Sequence, residues 1–151
     1  MKNIYFIIFM ILASRFCSSQ IVEPVKWTCD LKKIGEKRYE VQLKARIDAP
    51  FHIYSQFTSK DAPNLPTSIK FKQNPLIQFD GNVKEEGKMI VSHEDLLDVD
   101  LKYYSDAVMF TQIIRLKANV KTSITGTIEY MACTEEKCLP KQNLQFTLSV
   151  D

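Results

Sequence analysis

Only four glycines occur among the 151 residues, and none of them frames a glycine-rich loop or the strained turn that exposes a catalytic serine. That excludes a phosphate cradle and a nucleophile elbow, and with them the nucleotide-binding and serine-hydrolase classes. An excess of charge of one sign is missing too. The 20 basic and 18 acidic residues are interspersed, so the chain lacks the basic face that nucleic acid rewards and the polybasic run that an anionic membrane attracts. A long hydrophobic run is the third absence. The stretch from Ile4 to Leu12 is too short for a bilayer-crossing helix of ~20 residues, and no later segment comes close to that length. A protein or a small molecule remains as the partner.

What is present begins with MKNIYFIIFMILASRFCSSQ, where Lys2 precedes the apolar run and the small residues Ser18 and Ser19 follow it. This is the layout of a secretory signal peptide, with cleavage expected after Ser19 and residues 1–19 removed. Arg15 and Phe16 stand where a lipoprotein signal carries small or aliphatic residues, which argues against a lipid anchor on Cys17. Residues 20–151 then form one exported domain, expected in the periplasm or outside the cell. Loss of Lys2 and Arg15 leaves 18 basic against 18 acidic residues. A chain of this size suits one domain with its own core, expected to be monomeric.

Short alternating runs separated by turn residues fill that domain, with no convincing amphipathic helix, so the fold class is all-β. Val25, Trp27, Cys29 and Leu31 share one strand face, which points Cys29 into the core as an inert thiol. RYEVQLKARI sets Tyr39, Val41, Leu43, Ala45 and Ile47 against charged alternates. FHIYSQF continues beyond Pro50, DAPNLPTS reads as a loop and SIKFK as a strand. LIQFD, Gly81-Asn82 and GKMIVS suggest a hairpin. HEDLLDVD, with four acids in eight residues, breaks the alternation and reads as a loop. AVMFTQIIRLKA, SITGTIEYMAC and QNLQFTLSV supply the closing strands. Eight or nine strands with short turns and no repeat predict an immunoglobulin-like β-sandwich.

Export gives the remaining cysteines a meaning, because oxidising compartments let disulfides persist. Three are left, Cys29, Cys133 and Cys138, and three pairings are open. Sequence separation favours Cys133 with Cys138. Such a six-residue ring removes little unfolded-chain entropy, on the order of 2 kcal/mol, so stability is a thin reason to keep it. Its setting, between a strand end and Leu139-Pro140, favours exchange, which requires an accessible thiolate. Lys137 favours a thiolate at Cys138, while Glu135 and Glu136 oppose it.

The stretch YMACTEEKCLP resembles the tyrosine-x-x-cysteine, short loop, cysteine-x-proline signature of the N-terminal periplasmic domain of the thiol:disulfide interchange protein DsbD. FHIYSQF resembles that family's aromatic stretch, and HEDLLDVDLKYY falls where the family has an acidic loop capping the cysteine pair. The resemblance implies that Cys138 forms mixed disulfides with partners and that Cys133 resolves them. It also implies that Tyr54 and Asp95 are polar residues near the pair, the acid relaying a proton. Leu96 and Leu97 belong to the cap, Leu97 where the family presents an aromatic ring. Lys141 replaces a family proline, and the loop between the cysteines is one residue shorter. The implied partners are thioredoxin-like redox proteins, as donor and acceptor, and no cofactor is implied.

Two other readings stand beside this one. Cys133, Cys138, His52 and His93 are ligand types for zinc or copper, but their spacing matches no familiar finger or ribbon, so no metal is expected. A secreted immunoglobulin-like binding module whose disulfide only shapes a loop is the alternative function, and it differs in predicting a bridge that resists mild reductant.

Overall fold

The computed structural model describes residues 23–59, 66–96 and 98–150. The proposed signal peptide, most of the DAPNLPTS loop and Leu97 lie outside them. Eleven strands and no helix run through the described residues, two or three strands more than the alternation suggests. The additional ones are short.

The body is a sandwich. In one layer β1 (Val25–Gly35), β2 (Arg38–Ile47), β8 (Ala107–Leu116) and β5 (Ile77–Gly87) lie in the order β1-β2-β8-β5, each pair antiparallel. In the other, β11 (Gln142–Val150), β9 (Thr122–Tyr130) and β4 (Ser68–Phe71) lie in the order β11-β9-β4. The alternating residues of β2 point inward as their periodicity requires, with Val41 and Ala45 fully buried and Leu43 at 1% exposure. They join Val108, Phe110 and Ile114 of β8, Ile124 and Ile128 of β9, and Phe146 and Val150 of β11 in one core. Trp27, Cys29 and Leu31 of the edge strand β1 pack against that core but stay partly exposed. Burial first, and then Asp30, pushes the Cys29 thiol up.

A smaller sheet has the order β10-β3-β7-β6, from β10 (Ala132–Cys133), β3 (His52–Tyr54), β7 (Val99–Tyr104) and β6 (Ile90–Glu94). Each of these strands continues from a strand of the body across a link of four residues or fewer. The link from β2 to β3 contains a cis Ala49-Pro50 bond, and SITGTIEYMAC breaks at Met131 into β9 and β10.

The chain departs from its sequence pattern at two places. Asp80-Gly81-Asn82 makes no hairpin turn, because β5 runs through it as a bulge in which Gly81–Val83 stand opposite Gln112 alone. Gly81 takes a φ of 74°, open to glycine, and the buried Gln112 amide nitrogen reaches the carbonyls of Asp80 at 3.1 Å, Gly81 at 3.3 Å and Ile113 at 2.9 Å. Those carbonyls therefore need no turn to satisfy them. HEDLLDVD is likewise not a loop. His93-Glu94 and Val99-Asp100 pair as the ends of β6 and β7, and the described residues between them, Asp95, Leu96 and Asp98, form a turn, with Asp98 at a φ of 52°. The hairpin's first arm, β6, is an edge strand with Val91 57% exposed, and in β7 only Tyr104 is buried, so little burial imprints an alternation on the sequence.

Candidate dithiol site

The site rests on the register of the small sheet. Ala132 pairs with Ile53 and Cys133 with His52, while Ile53 pairs with Tyr104 and Tyr54 with Tyr103. Side chains alternate across a strand, so Ala132, Ile53 and Tyr104 enter the core, and Cys133, His52, Tyr54 and Tyr103 share the opposite face. Cys133 and Cys138 are themselves bridge partners with Cα atoms 4.0 Å apart, joined as a disulfide.

The intervening loop is held by its own groups. The Thr134 amide donates to the Lys137 carbonyl at 2.8 Å, and the Leu139 amide to the Ala132 carbonyl at 2.8 Å. Amides of Glu136 and Lys137 donate to Thr134 Oγ1 at 3.3 and 3.2 Å. This folding leaves the two cysteines in different settings: Cys133 is 1% exposed, whereas Cys138 is exposed at the surface.

A groove of about 350 Å³ opens beside Cys138, between loop residues 134–138 and a wall made by His52, Tyr54, Ser92, Glu94, Leu101 and Tyr103. His52 Nε2 lies 3.2 Å from Tyr54 Oη, and the imidazole packs on Tyr103 with ring centroids 4.6 Å apart. Burial pulls the His52 pKa down, and Glu135 partly restores it. Burial, then Glu135, Tyr103 and Glu94, push the Tyr54 phenol up, so it keeps its proton. Behind this face Glu85 accepts hydrogen bonds from Ser55 Oγ at 2.6 Å, the Gln56 amide at 2.7 Å and Tyr104 Oη at 2.9 Å, which pins the chain leaving β3.

The expected residues are therefore distributed unevenly. Cys133, Cys138 and Tyr54 come together. Asp95 stands at the hairpin tip with its side chain 96% exposed, 3.8 Å from His93 Nε2, and does not line the groove; Glu94 does. Leu96, 93% exposed, is also outside the groove. From the sequence, His52 reads only as a metal-ligand type and Glu94, like Asp95, as a solvated loop acid, and Tyr103 carries no assigned role. The alternation of FHIY, which sets His52 and Tyr54 on one face, was the available signal. Among the described residues no three His, Cys, Asp or Glu side chains are gathered to hold a metal ion.

The chain matches no protein-family profile and no curated protein sequence. Solved structures do share its fold. The reduced N-terminal domain of DsbD from Neisseria meningitidis superposes with a TM-score of 0.52 at 15% identity, over 83% of this chain and 86% of that one. The N-terminal periplasmic domain of ScsB from Proteus mirabilis gives 0.57 at 10% identity, over 86% of this chain and 47% of that one, so this chain spans about half its length. The structure of the complex between the DsbD and PilB N-terminal domains of Neisseria meningitidis gives 0.53 at 11% identity, over 86% and 88%. The fold is thus the immunoglobulin-like sandwich of DsbD-type N-terminal domains. No helix of the described residues is long and apolar enough to cross a membrane.

Proposed function

We propose that this domain exchanges thiols and disulfides through Cys133 and Cys138, passing electrons between thioredoxin-like proteins outside the cytoplasm. The observation that carries the reading is the asymmetry of the pair: an exposed Cys138 bordering a groove, with Cys133 buried behind it. An incoming thiolate attacks Cys138 Sγ, the bond to Cys133 breaks with its electron pair on Cys133, and a mixed disulfide forms on Cys138. The donor's second thiol then displaces Cys138, leaving the dithiol, which reduces a substrate disulfide by the reverse sequence. Fold likeness to DsbD and ScsB N-terminal domains supports this reading, as does the thin stabilising value of so short a ring.

In this proposal Tyr54 hydrogen-bonds within the groove beside Cys138, and Asp95, which stands outside the groove in the free domain, relays a proton to the pair once a bound partner brings the hairpin tip over it. The arms of the β6–β7 hairpin act as the cap by walling the groove, and Leu96 and Leu97, between those arms in sequence, belong to it as the part that meets a protein partner. The protein acts as a monomer after residues 1–19 are removed. The test is trapping. Cys133→Ala retains a mixed disulfide on Cys138 with a thioredoxin-like partner, because the resolving thiol is gone, whereas Cys138→Ala traps little. Equal trapping by both variants overturns the assignment of the nucleophile.

A further inference from the structure

One buried titratable side chain beside the sulfurs has no part in exchange as just described. His52 is 6% exposed, lies opposite Cys133 in the β3–β10 ladder, and lines the same groove as Cys138. Directly opposed residues of an antiparallel pair hold their Cβ atoms about 4.5–5.5 Å apart on one face. Cys133 is 1% exposed, so water has little access to its sulfur. When the Cys133 thiol attacks a mixed disulfide, its proton therefore needs an acceptor within the protein.

The groups that face His52 define what it can do. Tyr54 from its own strand lies 3.2 Å from Nε2, Tyr103 of β7 covers its ring, and Glu135, Glu136 and Lys137 of the cysteine loop and Glu94 of β6 line the groove around it. Burial favours the neutral imidazole, and Glu135 favours its charged form. With Nε2–H donating to Tyr54 Oη, the Nδ1 lone pair remains as the accepting site.

We propose that His52 is the proton acceptor for Cys133 in the resolving step, an inference that rests on the exchange reading above. The Cys133 S–H proton passes to His52 Nδ1 as the sulfur's electron pair forms the bond to Cys138 Sγ. The bond between Cys138 and the partner breaks, and its electron pair leaves on the partner sulfur, which takes a proton from the imidazolium or from water. The cysteine pair is oxidised by two electrons and the partner's disulfide is reduced to two thiols. In the reverse direction the imidazolium returns the proton to Cys133 as that sulfur departs.

The test uses the reduced protein, with Cys29→Ser in every variant, mixed rapidly with dithionitrobenzoate. The first coloured thiolate reports attack by Cys138, and the second reports resolution by Cys133; Cys133→Ala identifies the second phase by abolishing it. His52→Gln keeps a donor for Tyr54 but cannot titrate, and it is expected to slow the second phase by about 10²-fold near neutral pH while leaving the first within about twofold. The His52→Gln rate should then climb with pH until Cys133 ionises unaided, and converge on wild type in alkali. His52→Phe, which keeps a ring against Tyr103, gives the same loss if proton transfer rather than packing is at stake. An unchanged second phase in both variants overturns the proposal, and so does slowing by Asp95→Asn alone. A wild-type protein that shows no second phase at all contradicts the exchange reading itself.

Discussion

Val41 and Phe110 in the body and His52 and Tyr54 in the small sheet are all buried, but different things bury them. Aliphatic and aromatic neighbours from two facing layers enclose Val41 and Phe110 in the single core. His52 and Tyr54 lie on the far face of β3, covered by each other, by Tyr103 and by the cysteine loop. In the body, burial is apolar contact and indifferent to proton or electron. At the small sheet it encloses groups that titrate and a bond that can be broken. The same strand does both, since Ile53 faces the core between His52 and Tyr54. Rigid packing on one side of β3 is what allows reactive groups on the other to keep their register.

The contrast is sharpest where a change should damage one region and spare the other. Phe110→Ala leaves a cavity in a fully buried position and is expected to cost roughly 3–5 kcal/mol in urea unfolding, while the fraction still folded exchanges disulfides at the wild-type rate. A smaller effect is expected from pH. The His52 pKa is lowered in the folded state from its ordinary 6.5, so the ring is neutral in both folded and unfolded chains well above that value. As pH falls through 6.5 the unfolded chain takes up the proton first, and stability declines until the folded ring also charges. Comparing unfolding of wild type and His52→Gln across this range should show the decline reduced in the variant; parallel curves would mean the imidazole is not held neutral. The smallest effect belongs to the hairpin tip. With Leu96 93% exposed, Leu96→Ser should leave stability within about 0.5 kcal/mol. It should also leave reaction with a small disulfide within about twofold, so any loss with a protein partner would identify the tip as a contact for that partner.

Much of the body was legible because one-sided burial writes a period of two into β2 and β11, and the cysteine motif was legible because both sulfurs lie in one short stretch. The rest depends on partners far along the chain. The bulge at Gly81 resembles a turn until Gln112, 31 residues on, supplies the amide that its carbonyls need. The β6–β7 hairpin buries only Tyr104, too little to pattern it. His52 acquires its meaning only from the register that sets it opposite Cys133, 81 positions later, which spacing alone does not reveal.

Whether Cys133–Cys138 works as a dithiol is decided by a redox titration of the mature protein that follows the pair by mass. The bridge is expected to open reversibly under mild reductant, at a potential above about −300 mV, with the gain of two hydrogens. A bridge that survives millimolar reductant in the folded protein would contradict this expectation and leave the disulfide as a structural tie.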